Sequence, residues 1–128
     1  MVLARPEGGC QKDGAGGNSP PEASLAIQVL PKIAGDGEEL IRVVDAVIAY
    51  IKGSGLTTFV GPFETTVEGS FDRLCEIARE AQLICLREGA ESVSTYMKWV
   101  YNPRGGVWSI EKKVAKHHLQ DAARDGGA

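Results

Sequence analysis

A chain of 128 residues, 43% hydrophobic and 24% charged, has the size of one small domain. Its net charge of −3, with acidic and basic residues interspersed, lacks the concentrated positive surface that a phosphate backbone requires and argues against nucleic acid as a partner. No segment approaches bilayer length and no apolar h-region follows Arg5, so neither membrane insertion nor secretion is signalled and a cytoplasmic location is expected.

Residues 1–23 are dominated by Gly, Pro and isolated charges without apolar periodicity, and are expected to form a disordered N-terminal tail. Ser24–Pro31 alternates, with Leu25, Ile27 and Val29 on one side and Ala26, Gln28 and Leu30 on the other, as a half-buried strand requires. Asp36 then offers an N-cap, with Glu39 in the capping-box position and Glu38 complementing the helix dipole. Leu40, Val43, Val44, Val47, Ile48 and Ile51 recur with a 3.6-residue period, and Gly53 and Gly55 stop the helix.

Two β-prone runs, rich in Thr, Val and Phe, follow between Leu56 and Gly69, split by the turn-forming pair Gly61-Pro62. They predict a hairpin. A second helix opens after Gly69-Ser70, with Phe71, Leu74, Cys75, Ala78, Ala81, Gln82 and Cys85 on one face, widened by Leu83 and Ile84, and closes at Gly89. Glu91–Tyr101 reads as a long strand in which Val93, Thr95, Met97, Trp99 and Tyr101 oppose Ser94, Tyr96, Lys98 and Val100. A turn over Asn102–Gly106 and a short helix capped by Ser109 complete a domain over 24–118, and 119–128 is again tail-like.

The order β-α-β-β-α-β predicts a ferredoxin-like α+β sandwich: a four-stranded antiparallel sheet with two helices on one face, plus the short C-terminal helix. The opposite face then carries Ala26, Gln28, Leu30, Glu64, Thr66, Glu68, Ser94, Tyr96, Lys98 and Val100. Such a mixed, partly apolar surface on a small core is expected to associate with another copy, face to face or edge to edge.

No catalytic constellation is present. His117 and His118 are adjacent and diverge on a helix, and Glu64 and Glu68 on one strand face stand about 13 Å apart, too far for a paired acid and base. Cys75 and Cys85 are separated by roughly 15 Å of helix, beyond disulfide reach, and are expected as reduced buried thiols, with Cys10 in the tail. No zinc spacing or phosphate loop occurs, so no cofactor is expected. Binding suits the residues better than catalysis: Gln28, Glu64 and Thr66 supply donors and acceptors, and Tyr96 supplies flat apolar area, with Trp99 and Trp108 as further candidates at the rim. An aromatic heterocycle bearing an amino group wants such a surface. The other reading of the same residues is polar filler in an interface of a ligand-free regulatory or scaffold oligomer.

The segments Leu25–Pro31, Arg42–Ile51, Val60–Gly69 with its Thr-Thr-Val-Glu-Gly run, and Gly106–Val114 resemble the small thiamine-binding family related to YkoF, across roughly 24–116. The resemblance implies a ferredoxin-like subunit, commonly a tetramer of paired dimers, that binds thiamine or its hydroxymethylpyrimidine moiety without catalysis. It places ligand contacts on the hairpin and neighbouring strands, here Gln28, Glu64, Thr65 and Thr66, to which the open sheet face adds Tyr96 and Lys98. An acylphosphatase of the same fold needs an Arg after the first strand, where Lys32 stands alone. An RNA-recognition module needs aromatics where Gln28, Glu64 and Thr66 stand, and a metal carrier needs an absent Cys-x-x-Cys.

Overall fold

The computed structural model describes residues 19–115 and 117. In chain order they form β1 (Ala23–Lys32), α1 (Gly37–Gly53), β2 (Thr57–Val60), β3 (Thr65–Gly69), α2 (Phe71–Arg87) and β4 (Ser92–Tyr101), followed by a helical segment from Ile110. The strands make one antiparallel sheet in the order β2-β3-β1-β4. Both helices bury their apolar stripes against its Leu25, Ile27, Val29 and Val67 side, so the ferredoxin-like sandwich expected from the sequence is the observed fold.

The local signals explain each element. Asp36 caps α1 by accepting the Glu38 N–H at 3.1 Å, while Glu39, instead of closing a capping box, turns to Arg42 at 2.9 Å. Arg42 also donates to the Glu88 carboxylate and backbone carbonyl, tying α1 to the end of α2. The buried face of α1 is Val43, Val47 and Ile51, with Val44 half-buried and Leu40 exposed. Ser70 caps α2 through the Arg73 N–H, and the Glu22 carboxylate accepts from the Phe71 N–H at 2.8 Å. The α2 stripe differs from expectation. Ile77 joins Leu74, Ala78, Ala81, Ile84 and Cys85 inside, whereas Cys75 is exposed and Gln82 bonds back to the Ala78 carbonyl. A β-branched side chain buries more apolar area than a thiol, so the helix is rotated toward Ile77 and away from Cys75.

Further corrections concern the sheet and its ends. The first strand begins at Ala23, fully buried, and Pro21 and Glu22, expected in the tail, already hydrogen-bond through their carbonyls to Val107 and Asn102. The other expected tail residues of 1–18 and 119–128, with Cys10 and His118, lie outside the described residues. His117 is exposed. The sheet face away from the helices is also not wholly bare. The segment after β4 folds back across one end of it, burying Val107 and Ile110 and donating the Ile110 N–H to the Glu68 carboxylate at 2.8 Å.

That return depends on a tight turn, in which Asn102 accepts from Arg104, Gly105 and Gly106. Gly106 has φ +76°, and a Cβ there would lie 2.6 Å from Pro20 Cγ. Gly106→Ala combines a left-handed backbone with a steric conflict and is expected to cost roughly 2 to 4 kcal/mol by denaturant unfolding.

Candidate functional site

The two inner strands differ in length, and the difference opens a cleft. β1 pairs with β4 over all ten of its residues but with β3 only from Ala23↔Gly69 to Ile27↔Thr65. Past that point the hairpin turns away through Gly61, whose N–H donates to the Glu64 carbonyl at 2.9 Å. Between this turn, the unpaired run of β1 and the flank of α1 lies a cleft of about 270 Å³, lined by Ile27–Leu30, by Val44, Val47, Ile48 and Ile51, and by residues 61–65. Its walls are mainly apolar, its polar lining residues are Gln28, Glu64 and Thr65, and its size suits one small ring.

The six sequence-derived residues divide between two neighbouring places. Gln28, Glu64 and Thr65 line the cleft. On the open face, the ladder puts Thr66, Ala26 and Lys98 in one row and Gln28 and Tyr96 in the next, with Glu64 one step beyond the last β3 pair. Lys98 reaches across to Glu64, Nζ to Oε1 2.7 Å. Glu64 therefore lies in the turn and not within β3, held by a largely exposed lysine. Thr65 differs from Thr66 by facing the helices, where it is buried. Tyr96 is exposed on the open face.

Of the two tryptophans, Trp99 packs beside Phe71 on the helix side, ring centroids 5.4 Å apart, and forms no part of this cleft. Trp108 stands on the returning C-terminal segment, under Lys112 at 4.5 Å, and lines a separate open depression with Val100, Asn102 and Lys113. The apolar wall given by Val44, Ile48 and the turn residue Phe63, the last 79% exposed, was missed as site-forming. Val44 and Ile48 read as ordinary helix core, and the one available signal was that the hairpin strands are too short to flank a ten-residue neighbour.

Glu68 was expected exposed and is buried under the C-terminal segment, a correction that follows from the Ile110 bond. Burial raises its pKa above the usual carboxylate value, opposed by the Ile110 N–H and by Lys113, and assisted by Glu111. Burial likewise raises the Cys85 thiol. No group of three or more potential metal ligands occurs among the described residues, and none of their helices is long and apolar enough to cross a membrane.

The sheet order and the two helices on one face define a ferredoxin-like α+β protein, here with a cleft at its hairpin. Residues 25–118 match the model of the thiamine-binding protein family, and the chain belongs to that family. A UPF0045 protein of Clostridium perfringens is 42% identical over 94 residues, covering 73% of this chain and 95% of its own. The crystal structure of a Bacillus cereus domain of unknown function, DUF77, superposes with a TM-score of 0.67 at 36% identity, covering 74% and 88% of the two chains. A Thermotoga maritima protein assigned provisionally to thiamine biosynthesis or salvage gives 0.65 at 31% identity, covering 76% and 99%.

Because folding raises the Glu68 pKa, the folded state holds that proton more tightly than the unfolded chain, so stability is greatest below the unfolded value and falls as pH rises through the folded one. Glu68→Gln keeps an acceptor for the Ile110 N–H and removes the titration. Thermal midpoints measured from roughly pH 4 to 7 are expected to lose part of their decline with pH in this variant.

Proposed function

We propose that the chain is a non-catalytic binding protein for thiamine or its hydroxymethylpyrimidine moiety, acting in the cytoplasm as a homo-oligomer. The observation that carries this reading is the hairpin cleft: apolar walls on α1 for a flat ring, with Glu64 fixed at the edge as a carboxylate acceptor. Membership of the thiamine-binding family supports it. Glu64 accepts from the exocyclic amino group through its carboxylate, and Gln28 supplies a neutral donor and acceptor beside it. If intact thiamine is the ligand, the same carboxylate offsets part of the thiazolium charge. Thr65 presents a hydroxyl from the helix side, while Thr66, Tyr96 and Lys98 act from the open face, Lys98 by holding Glu64 in place.

Glu64→Ala is expected to weaken calorimetric binding of thiamine and of hydroxymethylpyrimidine by roughly 1 to 3 kcal/mol, the range for a hydrogen bond to a charged group. Equal affinity in variant and wild type removes Glu64 from the site.

The open face supports the oligomer part of the reading. Leu30, Phe59, Tyr96 and Val100 are large, at least 44% exposed, and share that side of the sheet by register. A tetramer built from paired dimers is the assembly expected. Light scattering at micromolar protein is predicted to give a multiple of the 13.6 kDa chain mass, and a monomer there contradicts this part.

A further inference from the structure

Beyond the side chains, the cleft contains an unpaired stretch of strand backbone. In an extended strand the N–H and C=O of successive residues point to opposite edges, so one assigned bond sets the direction of the rest. The Glu22 carbonyl accepts from the Asn102 N–H at 3.0 Å and the Lys32 carbonyl from the Glu91 N–H at 2.8 Å, which aims the even-numbered backbone groups of β1 at β4. The odd-numbered residues Ala23, Leu25 and Ile27 therefore bond to β3, opposite Gly69, Val67 and Thr65. Val29 is the next in this series, and no residue of β3 stands opposite it. Pro31 follows, with a carbonyl but no N–H to leave unpaired.

Val29 lines the cleft and is only 8% exposed. Buried backbone groups in native structures almost always have partners, and here the register supplies none from the protein. We infer that the N–H and C=O of Val29 are the ligand-reading groups of the cleft, pairing with an aminopyrimidine edge as a facing strand residue would. This inference rests on the binding reading above and deepens it. The Val29 N–H donates to the ring nitrogen beside the amino group, and the Val29 carbonyl accepts one amino hydrogen. The second amino hydrogen remains for Glu64. The ring replaces the missing β3 residue, with one face on the α1 wall and its far edge toward the turn. Recognition of the donor–acceptor pair then belongs to the backbone, while Glu64 adds strength without sole control of selectivity.

The test uses the full chain, labelled with nitrogen-15, titrated with 4-amino-5-hydroxymethyl-2-methylpyrimidine and with the analogue lacking the amino group, in wild type and in Glu64→Ala. The expected result is a downfield shift of the Val29 amide with the amino compound in both proteins. A preference for the amino compound of about tenfold should survive in Glu64→Ala. Binding of the amino compound with the Val29 amide unmoved, or a preference abolished by Glu64→Ala, overturns the backbone assignment and leaves the binding reading standing. Failure of wild type to bind either the amino compound or thiamine, titrated in the same way, overturns both.

Discussion

The structure depends on a mismatch in strand length at the centre of its sheet. β1 and β4 run for ten residues each, whereas β3 and β2 run for five and four. Because β1 lies between β3 and β4, its first half is paired on both edges and its second half on one. The fully paired half carries the deepest core, with Ala23 and Leu25 inaccessible beneath the helices. The half-paired end keeps Val29 buried against α1 but leaves its hairpin-side edge open, and the cleft is the space a longer hairpin would have filled. A single feature of chain geometry thus separates a rigid end, suited to stability, from an end with room for a guest.

The opposite end of the sheet shows what the chain does where it needs closure. The segment after β4 returns over the open face, and its Ile110 N–H meets Glu68, whose carboxylate sits in the row of Ser24 and Val100. A bare helical start has unsatisfied N–H groups, and a buried carboxylate costs free energy unless hydrogen-bonded, so each group relieves the other. Lys113 approaches Ser24 at 3.5 Å and adds positive charge near the same carboxylate. This closure also exploits Pro21 and Glu22, whose carbonyls extend the β1 edge pattern to Val107 and Asn102.

Much of this was legible in the residues, because the informative signals were local. The Asp36 cap, the helix start after Gly69-Ser70, the period of Val43, Val47 and Ile51, the Gly61-Pro62 turn and the alternation of Leu25, Ile27 and Val29 each depend on neighbours within a few positions. The stripe of α2 was misread because Cys75 and Ile77 both fit a helical period, and only packing against the sheet decides between them. Glu68 was misplaced because its partner is 42 residues away, and pattern along the chain carries no record of that contact. For the site, alternation correctly gathered Gln28, Thr66, Tyr96 and Lys98 on one face. The side of Thr65 was set by the same alternation, but the family resemblance had grouped it with Thr66. The cleft itself had only the shortness of the hairpin strands to announce it, since it arises from register and strand length together.

Glu64 lies where these two halves of the molecule meet. Its side chain lines the cleft and also reaches Lys98 on the open face, so the cleft and that face share an ion pair. In the single subunit Lys98 is mostly exposed, and water screens the pair enough that it contributes little to folding. Any body that covers the open face changes that balance, because it removes water from Lys98 and raises the need of both charges for partners. A second subunit packed there would hold Glu64 more firmly toward Lys98, and a cationic or amino-bearing guest in the cleft would draw on the same carboxylate. Were the cleft to take such a guest and the open face such a subunit, the two would be electrostatically linked through one residue, with a sign set by whether the guest leaves the Lys98 pair in place or displaces it.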